Sequence, residues 1–590
     1  MPAEGLRIEQ TLGSQLQRAA GSANGVRFVD GAERLGRLSY EALFEQARDV
    51  AGALRALGLA PGDRVALVYP TGPEFLRAFF GASLAGLVPA PLYPPFRLGL
   101  IEEYQQRTAV MLRACRARAV LADRRARRLL GPCVELARPQ LGCLTLEELP
   151  VGTYEDHRGS ANDLALIQFS SGSVSAPKPV ALTHAQLQAN VGAILKVILE
   201  SYPEGADLTH AGVSWLPLYH DMGLVGCLLT AVARPAELTL IPPELFVARP
   251  ALWLRVLSRE RATVSPAPNF AYALCAERVR DDELVGVDLS SWRLALNGAE
   301  PVTPAVLERF VARFARYGLR EEALTPVYGL AEAALAVTFF PPRERFVVTT
   351  FDREQLTREA RAEVCAQGQA LVSLGRALPG IELRIAGRDG RELASGSVGR
   401  VLVRGPSVMS GYDGLPEATR AVLCDGWLDT GDLGFLHDGS LYLVGRAKEL
   451  VIVRGRNYAP QDIEHAAEAA AGVRRGCVAA IGVVREGSDG EQLVVLAERR
   501  SGEAAASERI ADEISRRVTV ATGLVPAEVL VLDPGTLPRT SSGKLRRSEA
   551  RQRYLEQRLT PPQRATVLRV ASALAHSHAA LRRSRRQAPD

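Results

Sequence analysis

The stretch Leu166-Ile167-Gln168-Phe169-Ser170-Ser171-Gly172-Ser173-Val174-Ser175-Ala176-Pro177-Lys178-Pro179-Val180 decides how the rest of the chain is read. An apolar run that breaks into small hydroxyl residues, one glycine and one lysine can turn backbone N–H groups, hydroxyls and a cation toward phosphate oxygens. The spacing is not that of the G-x-x-x-x-G-K-[ST] loop, so alone it fits a phosphate loop and a serine-rich turn equally well. Its surroundings must decide.

Before it, Ser39-Tyr40-Glu41-Ala42-Leu43 places a capping residue ahead of an amphipathic run that ends near Gly58. Arg64-Val65-Ala66-Leu67-Val68-Tyr69 then reads as a buried strand, followed by an apolar helix over 74–87. Similar alternation recurs around 107–122, 185–217, 249–265 and 292–327, which predicts a large α/β domain with mostly parallel sheets. Past about residue 380, Ile381-Glu382-Leu383-Arg384-Ile385, Gly399-Arg400-Val401-Leu402-Val403 and Ser440-Leu441-Tyr442-Leu443-Val444 alternate with period two, as antiparallel strands do. From Gln461 the pattern predicts a small unit: helix 461–470, strands 477–484 and 492–498, helix 507–521 and strand 527–532.

Five further clusters follow the first. Ser214-Trp215-Leu216-Pro217-Leu218-Tyr219-His220-Asp221-Met222-Gly223 sets His beside Asp in a segment broken by Pro and Gly, a pattern that suits a functional loop, although a lone His is also commonly structural. Asn297-Gly298-Ala299-Glu300-Pro301 and Tyr328-Gly329-Leu330-Ala331-Glu332 each follow a strand-like run, with glycine permitting close backbone approach to a planar ligand. Trp427-Leu428-Asp429-Thr430-Gly431-Asp432 leads to Gly445-Arg446-Ala447-Lys448-Glu449, and Leu537-Pro538-Arg539-Thr540-Ser541-Ser542-Gly543-Lys544 comes last. Any one could be a turn; their joint order along one chain excludes that reading.

The ordered set resembles the adenylate-forming superfamily over about residues 8–555, and within it the fatty acyl-AMP ligases. The segments WLPLYHDMG at 215–223, APNFAY at 267–272 and the run 328–332 point to that branch. The resemblance implies a large adenylation domain at 1–447 with parallel sheets, helices and a small β subdomain, then a small mobile α+β domain at 448–559. It implies that ATP and Mg²⁺ are used. Ser170, Ser171, Gly172, Ser173 and Lys178 would hold the phosphates, and His220 would line the junction of acyl pocket and phosphate. Gly298, Ala299, Tyr328 and Gly329 would surround adenine, Glu332 would ligate Mg²⁺, Asp432 the ribose hydroxyls, and Arg446 the ribose or phosphate. Lys448 falls at the hinge, and Lys544 at the position that completes the adenylation site.

Such chemistry brings a carboxylate to the α-phosphorus of ATP, so positioning and charge neutralisation carry the catalysis. The phosphate loop departs from the family pattern: Val174 lacks a hydroxyl, Ser175 replaces a glycine, and Pro179 removes an N–H. A weakly active nucleotide- and acyl-binding protein is therefore a second reading. The acceptor of the acyl group is open between coenzyme A and the phosphopantetheine arm of a separate carrier protein. The 42 residues from 333 to 374, including Phe351-Asp352-Arg353-Glu354-Gln355-Leu356 and 360–369, resemble the ligase-specific insertion and favour the carrier. A surface excursion is the alternative there.

Composition agrees with a cytoplasmic protein, and a monomer is expected. Hydrophobic residues make up 47% and charged ones 23%, as in soluble globular chains. The longest apolar run, 78–92, is shorter than a membrane span and holds Pro89 and Pro91. Eight cysteines lack metal-ligand spacing, which fits a reducing compartment. Residues 561–590 carry six arginines against Asp590, which is the whole net +5, so the neutral body excludes a broad nucleic-acid surface. That basic tail, 560–590, is expected to be disordered. Of 71 basic residues only Lys178, Lys196, Lys448 and Lys544 are lysines, and three of the four fall on motif positions. Lysine is a compact point charge that arginine does not replace.

Overall fold

A computed structural model describes residues 11–95, 98–170, 177–205, 208–453, 456–485, 491–502, 506–540, 544–562 and 567–586. Ser39 Oγ accepts the Ala42 N–H and starts the Tyr40–Ala56 helix. This helix lies against Pro73–Leu84 so closely that a Cβ on Gly81 would stand 2.5 Å from Val50 Cγ1. Glycine is required there by the approach of two helices.

Two sheets follow from the βα alternation. Val88–Leu92, Arg64–Val68, Ala119–Ala122 and Cys143–Leu144 form a four-stranded parallel sheet in that order. The larger sheet has nine strands, and its interior runs parallel through Leu324–Gly329, Leu294–Asn297, Val264–Ala267, Ala211–Ser214, Glu237–Leu240 and Gly25–Val29. Antiparallel strands close both edges. The motif residues 215–220, 298–300 and 330–332 each leave the carboxyl end of one of these parallel strands, where open α/β sheets place their ligands.

The period-two segments form an antiparallel sheet of Glu382–Ala386, Gly399–Arg404, Trp427–His437 and Ser440–Arg446, joined by the short strand Leu423–Cys424. The last unit has helices Pro460–Glu468 and Ser507–Thr522 on a sheet of Val473–Val484, Glu491–Arg499 and Glu528–Leu532. Its apolar cluster, from Val451 to Leu524, is separate from the large core that runs from Leu12 to Leu441.

The segment after Glu332 is built rather than loose. Val348–Phe351 pairs with Gln369–Val372, and Phe351 packs edge-on to Phe435 and Tyr442 with ring centroids 4.9 and 5.4 Å away. It also reaches the C-terminal unit: Gln369 Nε2 donates to Asp462 Oδ2 at 2.9 Å and Arg353 to the Ala521 carbonyl at 2.5 Å.

The expectation of a disordered tail is corrected. Val567–Arg586 is a helix. Ala573, Leu574, Ser577, Ala580 and Leu581 recur at the three- and four-residue spacing of one helical face. Ser577 and Ala580 are buried, and Ala573, Leu574 and Leu581 pack on the core beneath the four-stranded sheet. Ser577 Oγ accepts the Gly131 N–H at 2.8 Å, and Arg583 pairs with Glu135 at 2.5 and 2.9 Å. The arginines dominated the composition of this segment and masked its apolar stripe. Among the described residues no helix is long and apolar enough to cross a membrane.

Candidate active site

The phosphate-loop residues Ser171, Gly172 and Ser173, with Val174 and Ser175, lie outside the described residues. The base of that loop is closed by the Ser170 N–H, which donates to the Lys178 carbonyl at 3.0 Å. Lys178 Nζ sits 4.6 Å from the centroid of the Tyr412 ring, a cation–π contact. Tyr412 Oη in turn donates to Glu332 Oε1 at 2.9 Å, so one tyrosine joins the loop lysine to the acidic motif residue.

Glu332 is held from several sides. The Met409 N–H donates to its carbonyl at 2.8 Å. Asn190 braces the turn behind it, donating to the carbonyls of Ala333 and Ala336 at 3.2 and 2.8 Å and accepting the Ala336 N–H at 3.0 Å. Burial raises the Glu332 carboxyl above its usual range against its own N–H, Tyr412 and Arg446. A carboxylate so placed gains from a cation. No group of three or more His, Cys, Asp or Glu that could cage a metal occurs among the described residues, and Mg²⁺ is commonly bound by one or two carboxylates plus substrate phosphates. The donor set fits that mode.

Across the cleft, Tyr328 Oη donates to Asp432 Oδ2 at 2.6 Å, and Arg446 Nε lies 3.2 Å from Asp432 Oδ1. Asp432 and Arg446 face one another in neighbouring strands, a register that fixes the pair. Burial raises Asp432 while Arg446 and Tyr328 hold it down. Ala299 adopts a left-handed φ of 69°, and a Cβ on Gly298 would stand 2.6 Å from Val327 Cγ2. The backbone there turns sharply out of the sheet, which leaves Glu300 to accept the Phe270 N–H at 2.5 Å. Gly329 has no room for a Cβ because the Leu335 carbonyl approaches it.

His220 is set by its loop. Its N–H donates to the Pro217 carbonyl at 3.2 Å, and Leu224 N–H returns to the His220 carbonyl at 2.8 Å. Gln168, on the strand entering the phosphate loop, donates to the Tyr219 carbonyl at 2.8 Å. The His220 Nδ1 lies 2.6 Å from Asp221 Oδ1.

Lys544 enters this cleft from the C-terminal unit. Its N–H donates to Thr540 Oγ1 at 3.0 Å and its carbonyl accepts the Thr540 N–H at 2.8 Å. Burial lowers its ammonium, Asp221, Glu300 and Asp432 raise it, and Arg446 lowers it further. The expected residues from five motifs are thus brought into one charged cleft. Lys448 is exposed in the turn between the strands Ser440–Arg446 and Val451–Val453, and its neighbour Glu449 accepts Arg547 at 2.7 Å. Among the described residues Lys196 pairs with Glu200 at 3.8 Å on the surface. Tyr412 and Asn190 escaped the sequence reading. Tyr412 belongs to no motif quoted from the sequence, whereas Asn190, buried in the middle of an apolar helix, was a usable signal.

A two-domain α/β fold with phosphate-loop lysine, acidic residues and a second lysine delivered from the smaller unit defines an adenylate-forming enzyme. The AMP-binding enzyme family matches residues 16–413, and the chain belongs to that family. It is 37% identical to a Caulobacter vibrioides protein provisionally named an acyl-CoA synthetase, covering 92% of this chain and 95% of that one. It is 33% identical to the medium-chain-fatty-acid–[acyl-carrier-protein] ligase JamA of Moorena producens, covering 89% and 91%. Among solved structures, one from studies of fatty acyl-adenylate ligases of E. coli and L. pneumophila superposes with a TM-score of 0.85 at 37% identity, covering 93% and 98%.

Proposed function

We propose that the protein condenses a fatty acid with ATP to give acyl-AMP and pyrophosphate, and then passes the acyl group to the phosphopantetheine thiol of a separate carrier protein. The observation that carries this reading is the placement of Lys544 among Asp221, Glu300 and Asp432 in the same cleft as Glu332, Arg446 and Lys178. In the first step a carboxylate oxygen bonds to the α-phosphorus as the bond to pyrophosphate breaks. Lys544 and Lys178 would neutralise phosphate charge, Asp432 and Arg446 would orient the ribose, and Glu332 would hold Mg²⁺, which supplies further charge neutralisation when bound. The 298–299 and 328–329 backbones would flank adenine, and residues 1–447 and 448–559 would act as large and small domains about Lys448. In the second step the thiol sulfur bonds to the acyl carbon, AMP leaves, and the thiol proton passes to solvent.

The carrier reading is supported by the packed 348–372 hairpin, which contacts both the β sheet and the C-terminal unit, and by the likeness to JamA. Coenzyme A as acceptor is the second reading, favoured by the Caulobacter relative. We place the protein in the cytoplasm, where its eight cysteines stay free thiols, and expect it to be a monomer. Acid-dependent pyrophosphate release by the purified protein tests activation, and a choice of thiol acceptors tests transfer.

A further inference from the structure

The His220 loop contains one buried anion that the activation step above does not use. Asp221 is 9% exposed, at the start of a single turn, 221–223. Its Oδ1 accepts the Met222 N–H at 2.7 Å and lies 2.6 Å from His220 Nδ1. The Met222 N–H also lies 3.4 Å from the ring nitrogen, but the shorter contact to a charged oxygen dominates. Hence the amide belongs to the carboxylate, and so does the ring proton.

Burial pushes the Asp221 carboxyl up, but the His220 ring, Lys544 and the Met222 N–H together hold it below its usual range. It therefore stays a carboxylate at neutral pH. A carboxylate only accepts, so Nδ1 must carry a proton. Nε2 is then the nitrogen left over, and the hydrogen bond from Nδ1 to Asp221 Oδ1 restrains the ring in addition to packing.

We propose that Asp221 is a positioning residue for acyl-AMP formation: it fixes the tautomer and plane of the His220 ring, so that Nε2 faces the junction of carboxylate and α-phosphate. This rests on the activation reading and adds a residue to it. The backbone supports the same end. Gly223 cannot bear a Cβ because the Pro217 carbonyl approaches it, and Gln168 ties Tyr219 to the strand that enters the phosphate loop. Ring and loop are therefore one unit, and Asp221 is its only carboxylate.

The test compares the unaltered protein with Asp221→Ala, which removes the acceptor, and Asp221→Asn, which restores a neutral one. Ring ¹⁵N spectra of histidine-labelled protein, with His220 assigned through His220→Gln, report the tautomer directly. The unaltered protein is expected to show His220 protonated at Nδ1, and Asp221→Ala a mixture of tautomers. The Ala variant should lose on the order of 10²-fold in kcat for pyrophosphate release, as a misplaced group does. Its KM for ATP should stay within about threefold, and Asn should recover part of kcat. A His220 ring protonated at Nε2 alone in the unaltered protein overturns the proposal, and so does a folded Ala variant with unchanged kcat. If the Ala variant does not fold, the spectrum of the unaltered protein still decides. If the unaltered protein releases no pyrophosphate with any fatty acid, the activation reading fails, while the ring spectrum continues to test the positioning claim.

Discussion

The Tyr328 hydroxyl donates to Asp432 Oδ2 at 2.6 Å while Arg446 Nε stands 3.2 Å from Oδ1, so the carboxylate is gripped at both oxygens from two different subdomains. A hydrogen bond to a charged group is worth about 1.5–3 kcal/mol, and stranding a buried partner costs more. Asp432→Asn should raise KM for ATP by at least about tenfold, and Tyr328→Phe by less, because Arg446 still pairs with the carboxylate. Initial rates against ATP concentration check the order of the two effects.

Lys544 is a charge that the C-terminal unit brings beside Asp221, Glu300 and Asp432. Lys544→Ala should lower pyrophosphate release on the order of 10²–10³-fold with an unaltered unfolding midpoint. Lys544→Arg should recover little, since a planar fork does not occupy the place of one ammonium among Asp221, Glu300 and Asp432. Near-normal release from the Ala variant would remove this residue from the mechanism.

Much of this was legible in the sequence, for a physical reason. The strands and helices of the last unit are flagged by hydrophobic period, and the structure places them within a few residues of expectation, as with Ser507–Thr522 and Glu528–Leu532. The motif clusters stand out by their Gly and Asp at strand ends, but Asp432 and Glu332 are singled out within them only by the resemblance to the adenylate-forming family. The contacts between motifs could not be picked out. Tyr412 bridges Lys178 and Glu332 across 234 and 80 residues of chain, and no local pattern encodes such a meeting. The tail helix is hard to see in the sequence because its net charge outweighs a stripe of five small and apolar residues.

That tail yields a stability prediction. Removing residues 561–590 would expose the face against which Leu574 and Leu581 pack and strand Glu135 without Arg583. Burial of a large apolar side chain contributes about 1.5–3 kcal/mol. The truncated protein should unfold at lower urea concentration, and amides of Gly131–Ala137 should exchange faster. Unchanged exchange there would show that the helix does not dock.

His184 gives a pH dependence. Burial lowers its pKa from 6.5 to about 4, and its Nδ1 accepts the Leu12 N–H at 3.1 Å, which needs the neutral ring. The unfolded chain binds the proton first, so this contribution is full above pH 6.5 and is lost as pH falls toward 4. Its size is about 3 kcal/mol. Urea unfolding of the unaltered protein and of His184→Asn across that window should give a shallower pH slope for the variant.

The most direct measurement mixes the purified protein with ATP, Mg²⁺ and a pool of fatty acids, offers coenzyme A and a phosphopantetheinylated carrier protein together, and reads the quenched reaction by mass spectrometry. Acyl-AMP followed by acyl-carrier thioester is expected, with the favoured chain length visible in both. Rapid formation of acyl-CoA in place of the carrier thioester, or no acyl-AMP at all, contradicts the proposed function.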